Sequence, residues 1–169
     1  MSVDFDLSGP LYGQSAACEP VLRALPDWFG IEAALQQYAA EINLLPTFLA
    51  STPEGVVGFL SLKPHNPYAA EIYVMGVIQA AHRQGTGRAL VEAAEAWLLA
   101  QGVEYLQVKT LGPSHPDPGY ARTRAFYLAL GFRPLEEFRQ IWDEHNPCLI
   151  LIKRLGISPS LQGRGQGDR

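Results

Sequence analysis

The sequence predicts an α/β (α+β) chain with a mixed central sheet of about six or seven strands and about four helices. Three observations predict it. Glu71–Leu90 begins as an apolar strand, passes through a turn holding Gly85 and Gly87, and continues as a helix. Val103–Trp142 repeats the alternation of strand, helix and strand. Leu44–Leu62 reads as two strands joined by the turn Thr52-Pro-Glu-Gly55.

Taken in order, Val3–Leu7 alternates apolar and acidic residues as a short first strand does, and Ser8-Gly9-Pro10 and Gly13 read as turns. Ser15–Leu25 has helical spacing through Val21, Leu22 and Leu25, and Pro26 ends it. Pro20 suits a first helical turn, so a start at Pro20 is the alternative. Asp27–Gly30 reads as a loop, and Ile31–Ile42 as a helix with Ile31, Leu35, Tyr38 and Ile42 on one face. After the predicted hairpin, Lys63–Pro67 is a loop leading to a central strand over Ala69–Val77. The helix from Thr86 to Gln101 places Leu90, Ala94, Trp97 and Leu98 on one face and stops at Gly102. A strand at Val103–Leu111 and a Pro/Gly-rich loop, Gly112–Gly119, precede a helix at Tyr120–Leu130. Phe132–Trp142 and Cys148–Leu155 are the last two strands. Residues 1–156 form the domain, and the glycine-rich residues 157–169 read as a disordered tail.

Composition narrows the function. The chain has 169 residues, 47% of them hydrophobic and 18% charged, the balance of a soluble globular protein. Its net charge of -4 argues against a general nucleic-acid binder. No apolar run approaches the roughly 20 residues that span a bilayer, and Met-Ser-Val-Asp-Phe-Asp lacks the features of a signal peptide, so a cytoplasmic protein is expected. Cys18 and Cys148 fit two reduced thiols, with a disulfide as the alternative. The four His are scattered without an accompanying Cys, so no metal is expected.

The functional reading starts at the glycine turn. A helix leaving such a turn presents unpaired N–H groups and the positive end of its dipole, a site for a phosphate or pyrophosphate. The strand before it carries one acid, Glu71, among apolar neighbours. A plain turn and a solvated strand-edge carboxylate are the structural alternatives.

Two blocks in this order resemble the GNAT family of acyl-CoA-dependent N-acetyltransferases. The first, His82-Arg83-Gln84-Gly85-Thr86-Gly87 before Arg88, is similar to the family's Q/R-x-x-G-x-G/A acyl-CoA signature, with His82 in the Q/R slot. The second, Thr123-Arg124-Ala125-Phe126-Tyr127-Leu128-Ala129-Leu130-Gly131-Phe132, is similar to its A-x-x-F-Y-x-x-x-G-F helix and turn, with Thr123 for the leading Ala. An Asn often opens that helix in the family; this chain has Tyr120.

The resemblance implies a GNAT fold and transfer of an acetyl group from acetyl-CoA to a primary amine of a small molecule or peptide. It implies that amides from Arg83 to Arg88 hold the CoA pyrophosphate, with His82 and Gln84 in the same loop and Tyr120 as a CoA contact. Met75 and Val77 match the positions whose amides meet the thioester, a donor of this kind contributing roughly 3–4 kcal/mol in the transition state. Glu71, eleven residues before His82, has the spacing of the catalytic glutamate in the family's histone acetyltransferases, acting directly or through water. His65 and His115 are rival bases. Tyr127 stands where the family places an acid near the CoA sulfur; a phenol near ~10 can protonate a departing thiolate. Trp28, Phe29, Tyr38 and Tyr73, with Glu32 and Glu41, are candidates for an amine pocket, the alternative being ordinary core and surface. Trp142 is a pocket or dimer-contact candidate, and a homodimer stays open. The competing functional reading is a GNAT-fold module that binds acyl-CoA without efficient turnover. An unrelated nucleotide-binding protein is disfavoured, since the Lys-Ser/Thr of a P-loop and the third glycine of the dinucleotide fingerprint are missing.

Overall fold

The structure is a computed structural model and describes residues 4–82 and 84–156. Its strands are β1 (Asp6–Leu11), β2 (Thr47–Thr52), β3 (Gly55–Asn66), β4 (Ala69–Val77), β5 (Tyr105–Leu111), β6 (Arg133–Asp143) and β7 (Asn146–Arg154). They form a seven-stranded mixed sheet in the order β1-β2-β3-β4-β5-β7-β6. The helices are α1 (Ser15–Arg23), α2 (Pro26–Phe29), α3 (Glu32–Ile42), α4 (Thr86–Ala100) and α5 (Pro118–Ala129), with a 3-10 turn at Gln79–Ala81. The expected sheet is present at its larger size, with one helix more than expected among the described residues. The predicted tail, 157–169, lies outside the described residues. No described helix is long and apolar enough to cross a membrane.

The chain divides into two compact units. The first takes the residues through Pro64 together with Ile72–Leu98. Its core joins Cys18, Val21, Leu22 and Leu25 of the α1 region to Leu35 and Ile42 of α3 and to Leu49, Phe59 and Val74 of the strands. Several local differences from expectation have physical reasons. The first strand lies at Asp6–Leu11, across the residues read as a turn. It is a sheet edge, where proline is tolerated, and Gly9 is required there. Its φ is +136°, and an added Cβ would come within 2.8 Å of the Thr47 carbonyl. The helix α1 starts at Ser15 rather than at Pro20 because Asn43 serves its first turn: Asn43 Oδ1 accepts from the Ser15 amide at 3.0 Å. Asp27–Phe29 is helical, α2 opening on Pro26, a residue preorganised for a first turn. Ile31 lies outside the apolar face of α3 and is 72% exposed.

The strand β3 runs on through the predicted loop at Lys63–Asn66. Its register with β2 reaches Ser61, and the Leu62 amide bonds to the Pro46 carbonyl. Pro64 falls past that pairing, where its missing N–H costs no bond with β2.

The second unit takes His65–Glu71 and the residues from Leu99 onward. Here β5 and β6 both pair antiparallel with β7, with Gln107 opposite Ile152 and Lys109 opposite Ile150. Leu106, Val108, Leu130, Phe132 and Leu151 are buried. The helix α5 starts two residues earlier than predicted because Asp117 caps it, its Oδ1 accepting from the Gly119 amide at 2.7 Å and the Tyr120 amide at 3.4 Å.

Candidate active site

The predicted site residues divide between the two units. Met75, Val77, His82 and residues 84–88 belong to the first, and Glu71, Tyr120 and Tyr127 to the second.

In the first unit, β4 ends and the 3-10 turn leads into the glycine loop. The Ile78 amide bonds to the Val57 carbonyl of β3 at 2.9 Å. Continuing the strand's alternation, the amides of Met75 and Val77 point away from β3. Gly76 between them is glycine for packing: an added Cβ would meet Leu25 at 3.1 Å, Val21 at 3.4 Å and Phe59 at 3.6 Å. The loop is tied back onto its own strand. His82 Nε2 donates to the Val77 carbonyl at 2.6 Å, and Gln84 Nε2 donates to the Ala80 carbonyl at 3.2 Å. These bonds give His82 and Gln84 a loop-shaping role. Arg83 lies outside the described residues. Gly85 has φ +80°, which favours glycine, and its carbonyl accepts the first helical bond of α4 from the Ala89 amide. An added Cβ at Gly85 would meet nothing within 4 Å, so the space beside it is open.

Thr86 is the informative residue of this loop. It is 2% exposed, and its Oγ1 has no hydrogen-bond partner among the described residues. Such a group costs about 1–3 kcal/mol when left unsatisfied. It sits in the first turn of α4, among backbone amides that the helix itself cannot satisfy.

In the second unit, Glu71 is buried, with its side chain 6% exposed. Its chain neighbours Ala70 and Ile72 are buried apolar residues, and its carboxylate also meets polar groups from other strands. Three donors converge on one carboxylate oxygen, Oε1: His65 Nε2 at 2.8 Å, Gln107 Nε2 at 3.2 Å and Lys109 Nζ at 3.3 Å. A buried carboxylate persists when it is paired and hydrogen-bonded in this way. Gln107 and Lys109 were not singled out from sequence. The signal was there: Tyr105, Gln107 and Lys109 form a polar row on a strand whose other side chains are apolar or Thr110.

Tyr127 is 4% exposed and lies against Phe126 and Phe132, with ring centroids 5.2 and 5.4 Å away at edge-on angles. Burial pushes its phenol well above the ordinary value, which holds it neutral. Tyr120 is half-buried in the first turn of α5. Of the rival bases, His115 uses Nδ1 to accept the Asp117 amide at 3.2 Å, a loop-stabilising bond.

The predicted aromatic residues gather in the first unit. Tyr38 stands 5.8 Å from Phe29 and 5.6 Å from Tyr73, and Trp28 packs on the same core. Lys63 already lies over the Tyr73 ring at 5.4 Å. Glu32 is bound to Arg23 at 2.9 and 3.0 Å, and this, with Gln36, holds its carboxyl down at about 2. Neither Tyr73 nor Glu32 is therefore a free partner for a cation. Among the described residues no group of three or more His, Cys, Asp or Glu is placed to hold a metal.

Known proteins resemble this chain in fold and over part of its sequence. Solved structures share the fold at low identity. The ribosomal-protein-S18-alanine N-acetyltransferase of Escherichia coli superposes with a TM-score of 0.70 at 17% identity, over 92% of this chain and 96% of that one. A GNAT family acetyltransferase from Elizabethkingia anophelis, with acetyl-CoA bound, gives 0.67 at 18% identity, over 89% and 98%. In sequence, a mycothiol acetyltransferase of Jonesia denitrificans is 39% identical over 83 residues, 48% of this chain and 24% of that protein. The chain thus spans about a quarter of that relative's length. The model of the acetyltransferase (GNAT) domain matches residues 43–134, more than half of the chain. That segment holds Glu71, the glycine loop and Tyr127, and by this match the chain belongs to the GNAT acetyltransferase family.

Proposed function

We propose that the protein transfers an acetyl group from acetyl-CoA to the primary amine of a small molecule or peptide by direct attack. The observation that carries the reading is the start of α4. Gly85 at φ +80° opens the helix with open space beside it. A pyrophosphate accepting from the amides of this first turn would satisfy groups that the helix itself leaves unpaired. The chemistry of this donor set suits the acyl-CoA the family uses. Met75 and Val77, whose amides point away from β3, are the oxyanion donors in this reading. The Glu71 cluster takes the amine proton, and Tyr127, held neutral by burial, protonates the leaving thiolate.

The direct experiment is thiol release from acetyl-CoA over a broad amine panel. The panel includes the acceptor to which the name of the Jonesia denitrificans relative points. Amine-dependent release of CoA thiol with a matching acetylated product supports the reading. One observation favours the second reading, an acyl-CoA-binding module: Lys109 occupies the Glu71 carboxylate as an ion pair would in a purely structural cluster. Calorimetric binding of acetyl-CoA without turnover on any amine selects that module instead.

A further inference from the structure

Resting on the transferase reading, we infer that His65 is the group that takes the proton from the acceptor amine, and that Glu71 is its positioning residue. The pairing is built by a short hairpin. His65 is next to last in β3 and Glu71 is third in β4, and the turn between the strands is fixed by Asn66, whose Oδ1 accepts from the Tyr68 amide at 2.8 Å and the Ala69 amide at 3.0 Å. The Tyr68 carbonyl accepts from the amides of Glu104 and Tyr105, each at 2.9 Å, which ties the hairpin to the start of β5. The backbone therefore sets the Gln107 and Lys109 side chains beside Glu71.

The hydrogen bonds then assign the imidazole's tautomer. An ionised carboxylate only accepts, so His65 Nε2, 2.8 Å from Glu71 Oε1, carries a proton and donates it. The Gln107 amide lies 3.5 Å from that nitrogen, too far to compete with its 3.2 Å bond to Glu71. In the neutral ring the lone pair is then on Nδ1, which has no hydrogen bond to any described residue. The two partners are also unequally accessible. The Glu71 side chain is 6% exposed and its Oε1 already accepts three donors, whereas the His65 side chain is 34% exposed. Lys109 balances the carboxylate's charge, and Cys148 lies within the field of both Lys109 and Glu71. A base oriented by a buried carboxylate, with its second nitrogen free of hydrogen bonds to described residues, is the recurring arrangement for activating a nucleophile.

The free-base amine attacks the thioester carbonyl carbon, and its N–H proton passes to His65 Nδ1 as the N–C bond forms. The C–S bond breaks, and the thiolate takes the Tyr127 proton as CoA thiol. Through solvent, His65 gives up the amine's proton and the Tyr127 phenolate regains one, leaving the amide and CoA.

The test uses the full chain, acetyl-CoA and an amine found by the panel. His65→Gln is expected to lower kcat by about 100-fold or more, the scale of a lost general base. KM for both substrates and the calorimetric affinity for acetyl-CoA should stay within about 3-fold. His65→Gly should regain activity saturably with added imidazole, while Glu71→Gln, which keeps its imidazole, should not. A kcat for His65→Gln within about 3-fold of the parent, with parent turnover intact, overturns the inference alone and leaves the transferase reading standing. A parent that releases no thiol with any amine while binding acetyl-CoA overturns both.

Discussion

At the scale of single residues, burial decides which side chains keep their protons. Tyr127 is enclosed by aromatic rings, and its raised phenol remains protonated through neutral and mildly basic pH. Tyr127→Phe removes that proton and little volume. Turnover is expected to fall by about 100-fold while acetyl-CoA affinity moves by a few-fold at most. Activity equal to the parent's from pH 7 to pH 9 removes Tyr127 as the acid. The two thiols make a linkage prediction. Burial pushes Cys18 from 9.0 up to about 12, and Cys148 from 9.0 up to about 11. Both native pKa values lie above the unfolded ones, so the folded state binds more protons in between. The stabilisation is complete below about pH 9 and is lost as pH rises through about 11 and 12. Urea titrations should show the unfolding free energy declining across that window. Cys18→Ala should flatten part of the decline, whatever its cost at neutral pH. An unchanged slope would mean that Cys18 titrates alike folded and unfolded.

At the scale of elements, the start of α4 and the start of α5 are made by different means. The start of α4 opens on a glycine at positive φ and leaves Thr86 Oγ1 without a partner among the described residues. Asp117 satisfies two amides at the start of α5. Asp117→Ala should therefore destabilise the protein by about 1 kcal/mol, and Asp117→Asn by clearly less, read from urea midpoints at constant slope. Gly85→Glu should instead leave folding nearly intact, since the added side chain enters open space, with only the cost of its positive φ. It should abolish calorimetric acetyl-CoA binding by placing negative charge in the cradle, and unchanged affinity in a folded variant would sink that assignment. The same contrast explains what was legible beforehand. The glycine loop, β4 and α4 were readable because local rules dictate them: a positive-φ glycine, an apolar strand, a 3.6-residue stripe. The Glu71 cluster was half readable. Its donors arrive from β3 and β5, far apart in sequence, and strand pairing sets which side chains converge on one oxygen. The first strand lies later than the sequence predicts for a related reason, since Gly9-Pro10 has the composition of a turn and is held extended only by pairing with β2.

At the scale of the whole molecule, ligand binding and folding are one equilibrium, and that gives a test independent of catalysis. A ligand bound by the native state alone adds about 2.7 kcal/mol at a hundred times its Kd. For a chain of 169 residues, each kcal/mol raises the midpoint by roughly 2–4 °C, so saturating acetyl-CoA should raise Tm by roughly 5–10 °C. The size of the shift should follow the anion. Free CoA keeps the pyrophosphate and should give nearly the full increase. Acetyl-pantetheine has the thioester without the pyrophosphate and should give little. Gly85→Glu should abolish the acetyl-CoA shift, while His65→Gln and Tyr127→Phe should keep it, because neither residue belongs to the cradle. If acetyl-pantetheine stabilised the protein as well as acetyl-CoA at equal concentration, the binding energy would lie in the thioester arm. The open turn at Gly85 and the first amides of α4 would then need another partner.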